Sequence, residues 1–365
     1  MRKRVDNLLS KIQKEIVETD KEKVVVVAAP ASGKTRVLTE RVKYLLEHGA
    51  DPNKLVVITF TNAAAEEMRE RIGDIGKDCF IGTIHSYAFR LLLLGGYVDE
   101  AVGYAVEERF DYFFDIIKKN LQCVKEVDYL LLDEAQDSNE NQFEFILDII
   151  NPKSFFIVGD ARQSIYGFAG GRPDMLIKLS HRSDVTKYDL DENYRNGLYI
   201  LEFAKRIINR LGRDYEDNSI AMCKTTGKVI ETNFSPYKFA EYILGSNDNF
   251  NDWFVLCRSN GMVDFMMNYL KERGIPCDTF KKGDLEPGEF AERMKANTVK
   301  VLTVHSAKGL EAKNVIVIGV NFGNEEERRV CYVAATRAKK FLIWCTGEQG
   351  NRNKKKQTTK LESWE

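Results

Sequence analysis

Lys34 and Thr35 close the run Ala28-Ala29-Pro30-Ala31-Ser32-Gly33-Lys34-Thr35, which follows a strand-like stretch and precedes a helical pattern. This is the phosphate-loop pattern G-x-x-x-x-G-K-[ST] with Ala28 in place of the first glycine. Its chemistry is anion capture, by backbone N–H groups aimed at phosphate oxygens at the positive end of a helix. Gly33 would allow close approach, Lys34 would neutralise β/γ-phosphate charge, and the Thr35 hydroxyl would ligate Mg²⁺. Alone, the run also reads as a polar strand–helix turn. Further on, the apolar stretch Tyr129–Leu132 runs into Asp133-Glu134-Ala135-Gln136-Asp137. Beyond a strand's carboxyl end an aspartate can hold Mg²⁺, and the next glutamate can orient or deprotonate a water. Alone, that cluster is equally an acidic helix N-cap. Paired with the phosphate loop, it reads as an NTP hydrolase.

A third polar loop, Gly159-Asp160-Ala161-Arg162-Gln163-Ser164-Ile165-Tyr166-Gly167-Phe168, follows the strand-like Phe155–Val158 and would place Gln163 near the same phosphates. Tyr166 and Phe168 are suited to stacking on a base, although burial under their own loop is the commoner fate of such residues. Two arginines of the second half, Arg195 in Asn193-Tyr194-Arg195 and Arg337 after Thr336, could reach across from a second domain to γ-phosphate charge. Each also fits a surface ion pair, as Glu325 and Arg329 do at i,i+4.

Strand and helix patterns alternate along the chain, which reads as α/β with mainly parallel sheets. The strand candidates are Val24–Ala28, Leu55–Thr59, Cys79–Gly82, Tyr129–Leu132 and Phe155–Val158, then Val185–Leu190, Lys228–Glu231, Trp253–Cys257, Val299–Thr303, Val315–Val320 and Phe341–Cys345. Helical patterns cover Arg36–His48, Ala63–Ile72, Glu107–Leu121, Gly197–Leu211, Val263–Arg273 and Glu325–Ala338. A chain of 365 residues predicts two domains. We place them at 1–190 and 191–350, followed by a basic tail over 351–365.

Charged residues make up 30% and the apolar set 44%, the composition of a globular chain. Lys+Arg 54 against Asp+Glu 55 excludes a globally basic nucleic-acid coat but not a basic groove. No apolar run approaches the ~20 residues that span a bilayer, so no membrane partner is expected. Seven cysteines without paired spacing point to reduced thiols, in the cytoplasm or another reducing compartment where nucleic acid resides, and argue against zinc.

With its motifs in order, the chain resembles the UvrD/Rep/PcrA-like branch of superfamily 1 DNA helicases. Gln13 looks like that family's adenine-reading glutamine, and Tyr194 its adenine-stacking tyrosine. Ile58-Thr59-Phe60-Thr61-Asn62 is similar to the segment gripping single-stranded DNA, and Gly82-Thr83-Ile84-His85-Ser86 to the next DNA-contacting motif. DEAQD matches D-E-x-Q-D, and VGDARQSIYGF the phosphate sensor and stacking loop. Arg258-Ser259-Asn260 resembles a further DNA-contacting segment. Thr303-Val304-His305-Ser306-Ala307-Lys308-Gly309-Leu310-Glu311 resembles the motif whose glutamate meets the ribose.

The resemblance implies two RecA-like domains with a nucleotide cleft between them, and ATP with Mg²⁺ as cofactors. Ala31, Ser32, Gly33, Lys34, Thr35 and Arg36 would cradle the phosphates, and Thr35 with Asp133 the metal. Glu134 would be the base, Gln163 the sensor, and Arg195 and Arg337 the arginine fingers. Phe60, Thr61, Asn62, Thr83, His85, Tyr166, Phe168, Arg258, Thr303 and His305 would line the DNA path, although lone histidines such as His85 and His305 are more often capping groups. The implied activity is 3′→5′ translocation on single-stranded DNA and unwinding of tailed duplex. Three departures stand out: Ala31 for glycine, Phe168 for tryptophan with Ala169 beside it for arginine, and short intervals where relatives insert accessory subdomains. The short intervals keep open an ATP-gated switch, or a motor needing a protein partner to supply the missing accessory functions. A kinase or a metal-dependent nuclease fits less well.

Overall fold

The computed structural model describes residues 9–280 and 287–346; the basic run 351–365 lies outside them. The chain folds as two compact units, one running through Arg195 and adding Ile208–Cys223, the other Asn196–Ile207 with the chain from Lys224 onward. Residues 191–195 thus join the first unit, not the second as the boundary at 190 had it.

The first unit's strands are β1 (Lys23–Ala28), β2 (Leu55–Thr59), β3 (Phe80–Thr83), β4 (Tyr129–Leu132), β5 (Ser154–Gly159) and β6 (Thr186–Leu190), in the order β3-β2-β4-β5-β1-β6. Every pairing is parallel. Both faces are covered, with Val25, Val56, Ile58, Leu130 and Leu132 in one core and Val24, Val26, Leu55, Val57 and Leu131 in the other. Strands buried on two faces read as unbroken apolar runs, which is why they stand out in the sequence. A short ladder joins β7 (Glu192–Asn193) to β8 (Ile220–Ala221).

The second unit repeats the layout with β9 (Lys228–Asn233), β10 (Trp253–Cys257), β11 (Cys277–Asp278), β12 (Val299–Thr303), β13 (Ala312–Ile318) and β14 (Ala338–Thr346). The order is β11-β12-β10-β13-β14-β9, again parallel throughout. No helix among the described residues is long and apolar enough to cross a membrane.

Two helix expectations are corrected. Of the pattern over Glu107–Leu121 only Tyr112–Lys119 is α-helical, and a separate helix, Val98–Val106, stops just before it. Glu108 takes a left-handed φ of 55°, while the N–H groups of Glu108 and Arg109 donate to the carbonyls of Ala105 and Tyr104. That is a Schellman stop built without the usual glycine. The helix Glu325–Ala335 ends at Thr336, and Ala338 already belongs to β14, so Arg337 sits in the tight connection between them.

Candidate active site

β1 ends at Ala28, and the chain turns into the helix Lys34–Glu47. The Ser32 amide and hydroxyl both donate to the Ala29 carbonyl, at 3.2 and 2.7 Å. Ala31 (φ 57°) and Gly33 (φ 87°) are left-handed; for a residue with a Cβ this costs about 1–2 kcal/mol. A Cβ on Gly33 would lie 2.9 Å from Gln13 Nε2. Gln13 donates to the Ser32 carbonyl at 2.9 Å and is held by a capping box with Ser10, so it braces the loop from outside. The first-turn N–H groups of Lys34, Thr35 and Arg36 have no intrahelical acceptor, as at any helix start, and form the anion-binding end.

β4 delivers the acidic run to the same place. Lys34 Nζ lies 3.1 Å from Glu134 Oε1. The Thr35 hydroxyl donates to Asp133 Oδ2 at 3.4 Å, and the Glu134 N–H to Asp133 Oδ1 at 2.9 Å. Asp133 is 4% exposed; its burial, with the charge of Glu134 adding, pushes its carboxyl up to about 7 against the pull of Lys34. Burial alone would lower the Lys34 ammonium, but Glu134, Asp133 and Asp160 outweigh it and leave its pKa raised. This donor set fits Mg²⁺. A hydroxyl and a carboxylate are hard oxygen ligands, and a carboxyl pushed up this far carries negative charge that its surroundings under-compensate.

At the end of β5 the third polar loop of the sequence reading folds into a buried cluster, joined by an aspartate that the reading did not single out. Arg162 Nε donates to Asp160 Oδ1 at 2.6 Å, and Arg162 Nη1 reaches Asp217 at 3.3 Å. Gln163 donates to Asp160 Oδ2 at 2.7 Å. Gln136 bridges Glu134 and the Asp160 N–H. Asp217 comes from the returning segment Ile208–Cys223, and no local signal marks it.

Asn193 and Tyr194 are fastened to the phosphate loop, since the Asn193 amide donates to the Pro30 carbonyl at 2.9 Å and the Tyr194 N–H to that of Ala31 at 3.2 Å. The Tyr194 ring is 47% exposed beside that loop. The Arg195 N–H donates to Asn193 Oδ1 at 3.0 Å; Arg195 therefore clusters with the first unit, where the sequence reading expected it to reach across from the second domain.

On the same strand-end side, Phe60 stacks on Tyr166 (centroids 5.6 Å, 16° between planes), and Phe168 meets Tyr166 edge-on at 5.9 Å. Phe168 is 76% exposed. Thr61 and Thr83 cap helices Asn62–Ile72 and Ile84–Gly95, and Asn62 is exposed. The His85 ring stacks on Phe114 and lies 3.3 Å from Asp111. A cavity of about 330 Å³ is lined by Phe60, Thr83 and His85 together with Asp133.

In the second unit, Arg258 forks onto Glu327 through Nε, at 3.1 and 3.0 Å, and through Nη2. Thr303 caps the turn into His305 and Ser306, and Glu311 pairs with Lys339 at 2.6 Å. Arg337 is buried, donating from Nε to the Val333 carbonyl at 2.9 Å and from Nη1 to that of Leu310 at 3.2 Å.

Comparison with known families agrees with this geometry. The UvrD/REP helicase N-terminal domain matches residues 9–122 and 112–184, and the UvrD-like helicase C-terminal domain matches 284–349. The chain belongs to the UvrD/Rep/PcrA-like helicase family. A Mycoplasma pneumoniae protein named "Probable DNA helicase" is 25% identical over 92% of this chain and 82% of its own length. The ATP-dependent DNA helicase Rep of Escherichia coli is 23% identical over 72% of this chain and 54% of its own. PcrA of Leuconostoc citreum is 26% identical over 56% of this chain and 39% of its own. The chain thus spans about half of Rep and less of PcrA.

Proposed function

We propose that this protein is an ATP-hydrolysing DNA helicase and single-stranded DNA translocase, working 3′→5′ by opening and closing a cleft between its two units. The observation that carries this reading is the convergence of Lys34, Thr35, Asp133 and Glu134 at adjoining strand ends. ATP would lie against the phosphate loop, with Tyr194 on its base and Glu311 on its ribose. Thr35 and Asp133 would hold Mg²⁺, which would supply Lewis-acid stabilisation of phosphate charge. Glu134 leaves its contact with Lys34 to take a proton from the attacking water, while Lys34 turns to the phosphates. Arg337, from the second unit, would complete the charge stabilisation on closure, with Arg195 already on the unit that carries the phosphate loop, so that hydrolysis follows domain movement. DNA would run over Phe60, Tyr166 and Phe168 in the first unit and Arg258, Thr303 and His305 in the second.

ATPase rates with and without oligonucleotides, together with strand displacement on 3′- and 5′-tailed duplexes, test the reading. DNA-stimulated hydrolysis with displacement only of the 3′-tailed substrate is expected; displacement of the 5′-tailed one would reverse the polarity. A second reading, a motor that unwinds only with a protein partner, is favoured by one observation. Val98, Val102 and Val106 expose an apolar stripe along the helix Val98–Val106, with exposed Leu94 at the end of the helix before it, the type of surface that a partner covers. ATPase activity without strand displacement by the purified chain would support it.

A further inference from the structure

We propose that Gln136 is a positioning residue that ties the Glu134 carboxylate to the loop carrying Tyr166 and Phe168, so that nucleic acid on that loop sets the rate of hydrolysis. This rests on the function proposed above. Gln136 is fully buried, and its two amide atoms face opposite ways. Nε2 donates to Glu134 Oε2, while Oε1 accepts the Asp160 N–H at 2.9 Å. Its backbone carbonyl accepts the Ser164 hydroxyl at 3.0 Å, two residues before Tyr166. The Arg172 N–H donates to the Ser138 carbonyl at 3.1 Å, fastening the far end of the loop to the same acidic run. Displacement of residues 160–168 therefore has a short hydrogen-bonded route to the carboxylate.

The chemistry singles out an amide. Only Asn and Gln carry a donor and an acceptor on a planar group that does not ionise, and asparagine is a methylene shorter. Glutamate cannot donate to Glu134 when ionised and would add a charge beside Asp133 and Glu134. Glu134 needs such a guide, because its backbone is left-handed at φ 53° and its other oxygen faces Lys34. The site is also shaped around this amide, since a Cβ on Gly159 would lie 2.8 Å from Gln136 Oε1.

The test is steady-state ATPase of the full chain, with and without saturating oligo(dT), for wild type, Gln136→Met and Gln136→Glu, together with ATP KM, oligo(dT) Kd and thermal unfolding. The expected result is a fall of about tenfold in the ratio of DNA-stimulated to DNA-free kcat, with ATP KM and oligo(dT) Kd changed by less than about twofold. Wild-type stimulation that persists undiminished in both variants overturns the proposal. So does a parallel loss of kcat, KM and thermal stability, which is the signature of a purely structural amide. A wild type that hydrolyses ATP without any response to DNA removes the functional reading itself, and the coupling with it.

Discussion

Replacing Asp133 with asparagine should abolish hydrolysis and, at alkaline pH, stabilise the protein. The side chain is 4% exposed, and its carboxyl is pushed up to about 7 by burial and by Glu134. An unfolded aspartate titrates near 3.9, so the folded state disfavours the charged form by roughly three pH units, a ceiling of about 4 kcal/mol. That figure already contains the pull of Lys34; what the variant gives up is one of the two hydrogen bonds that the Thr35 hydroxyl and the Glu134 N–H donate to separate carboxylate oxygens, which leaves a net gain of about 2 kcal/mol. For a unit of this size that is roughly 4–8 °C in Tm. The sign follows from the raised carboxyl. Wild-type stability is lowest above pH 7, where the group is ionised against its surroundings, and recovers as pH falls from about 7 towards the unfolded value. The asparagine advantage should therefore be full at pH 8 and vanish near pH 5. Thermal unfolding without nucleotide, in a chelator, from pH 5 to 8.5 measures it. A variant less stable than wild type at pH 8, or an advantage that does not change with pH, would refute the claim that Asp133 carries under-compensated charge.

Other outcomes follow from single contacts. Lys34→Ala should eliminate ATP turnover while oligonucleotide affinity, read by fluorescence anisotropy, changes little. Glu134→Gln should bind ATP and hydrolyse it at least about a hundredfold more slowly, which single-turnover assays would resolve. Ala31→Gly relieves a left-handed alanine but loosens the unfolded chain, so its unfolding free energy should move by less than about 1 kcal/mol. Arg162→Met strands Asp160 and Asp217 as neighbouring buried carboxylates and should cost about 3–5 kcal/mol, visible as a large drop in Tm at pH 8.

What could be read from the sequence follows from how far apart the interacting residues lie along the chain. β1, β2, β4 and β10 were plain because the middle of a parallel strand covered on both faces reads as an unbroken apolar run. Lys34, Thr35 and Asp133 were plain because helix-start and strand-end chemistry is written in consecutive residues. The stop at Glu108 was missed because a Schellman turn normally announces itself by glycine, and here hydrogen bonds to Ala105 and Tyr104 hold a glutamate in its place. Arg195 and Asp217 were beyond local reading for a different reason. Their unit is settled by a chain that leaves after Arg195 and comes back at Ile208, and only tertiary pairing reveals the return. Gln136 falls between the two cases: its motif was visible, yet its role depends on the β4–β5 pairing, which sets Leu132 against Ile157 and so brings the two strand ends side by side. A buried amide can bridge two loops only once parallel register has aligned them, so the residues that could couple one ligand to another are the ones that sequence patterns show least.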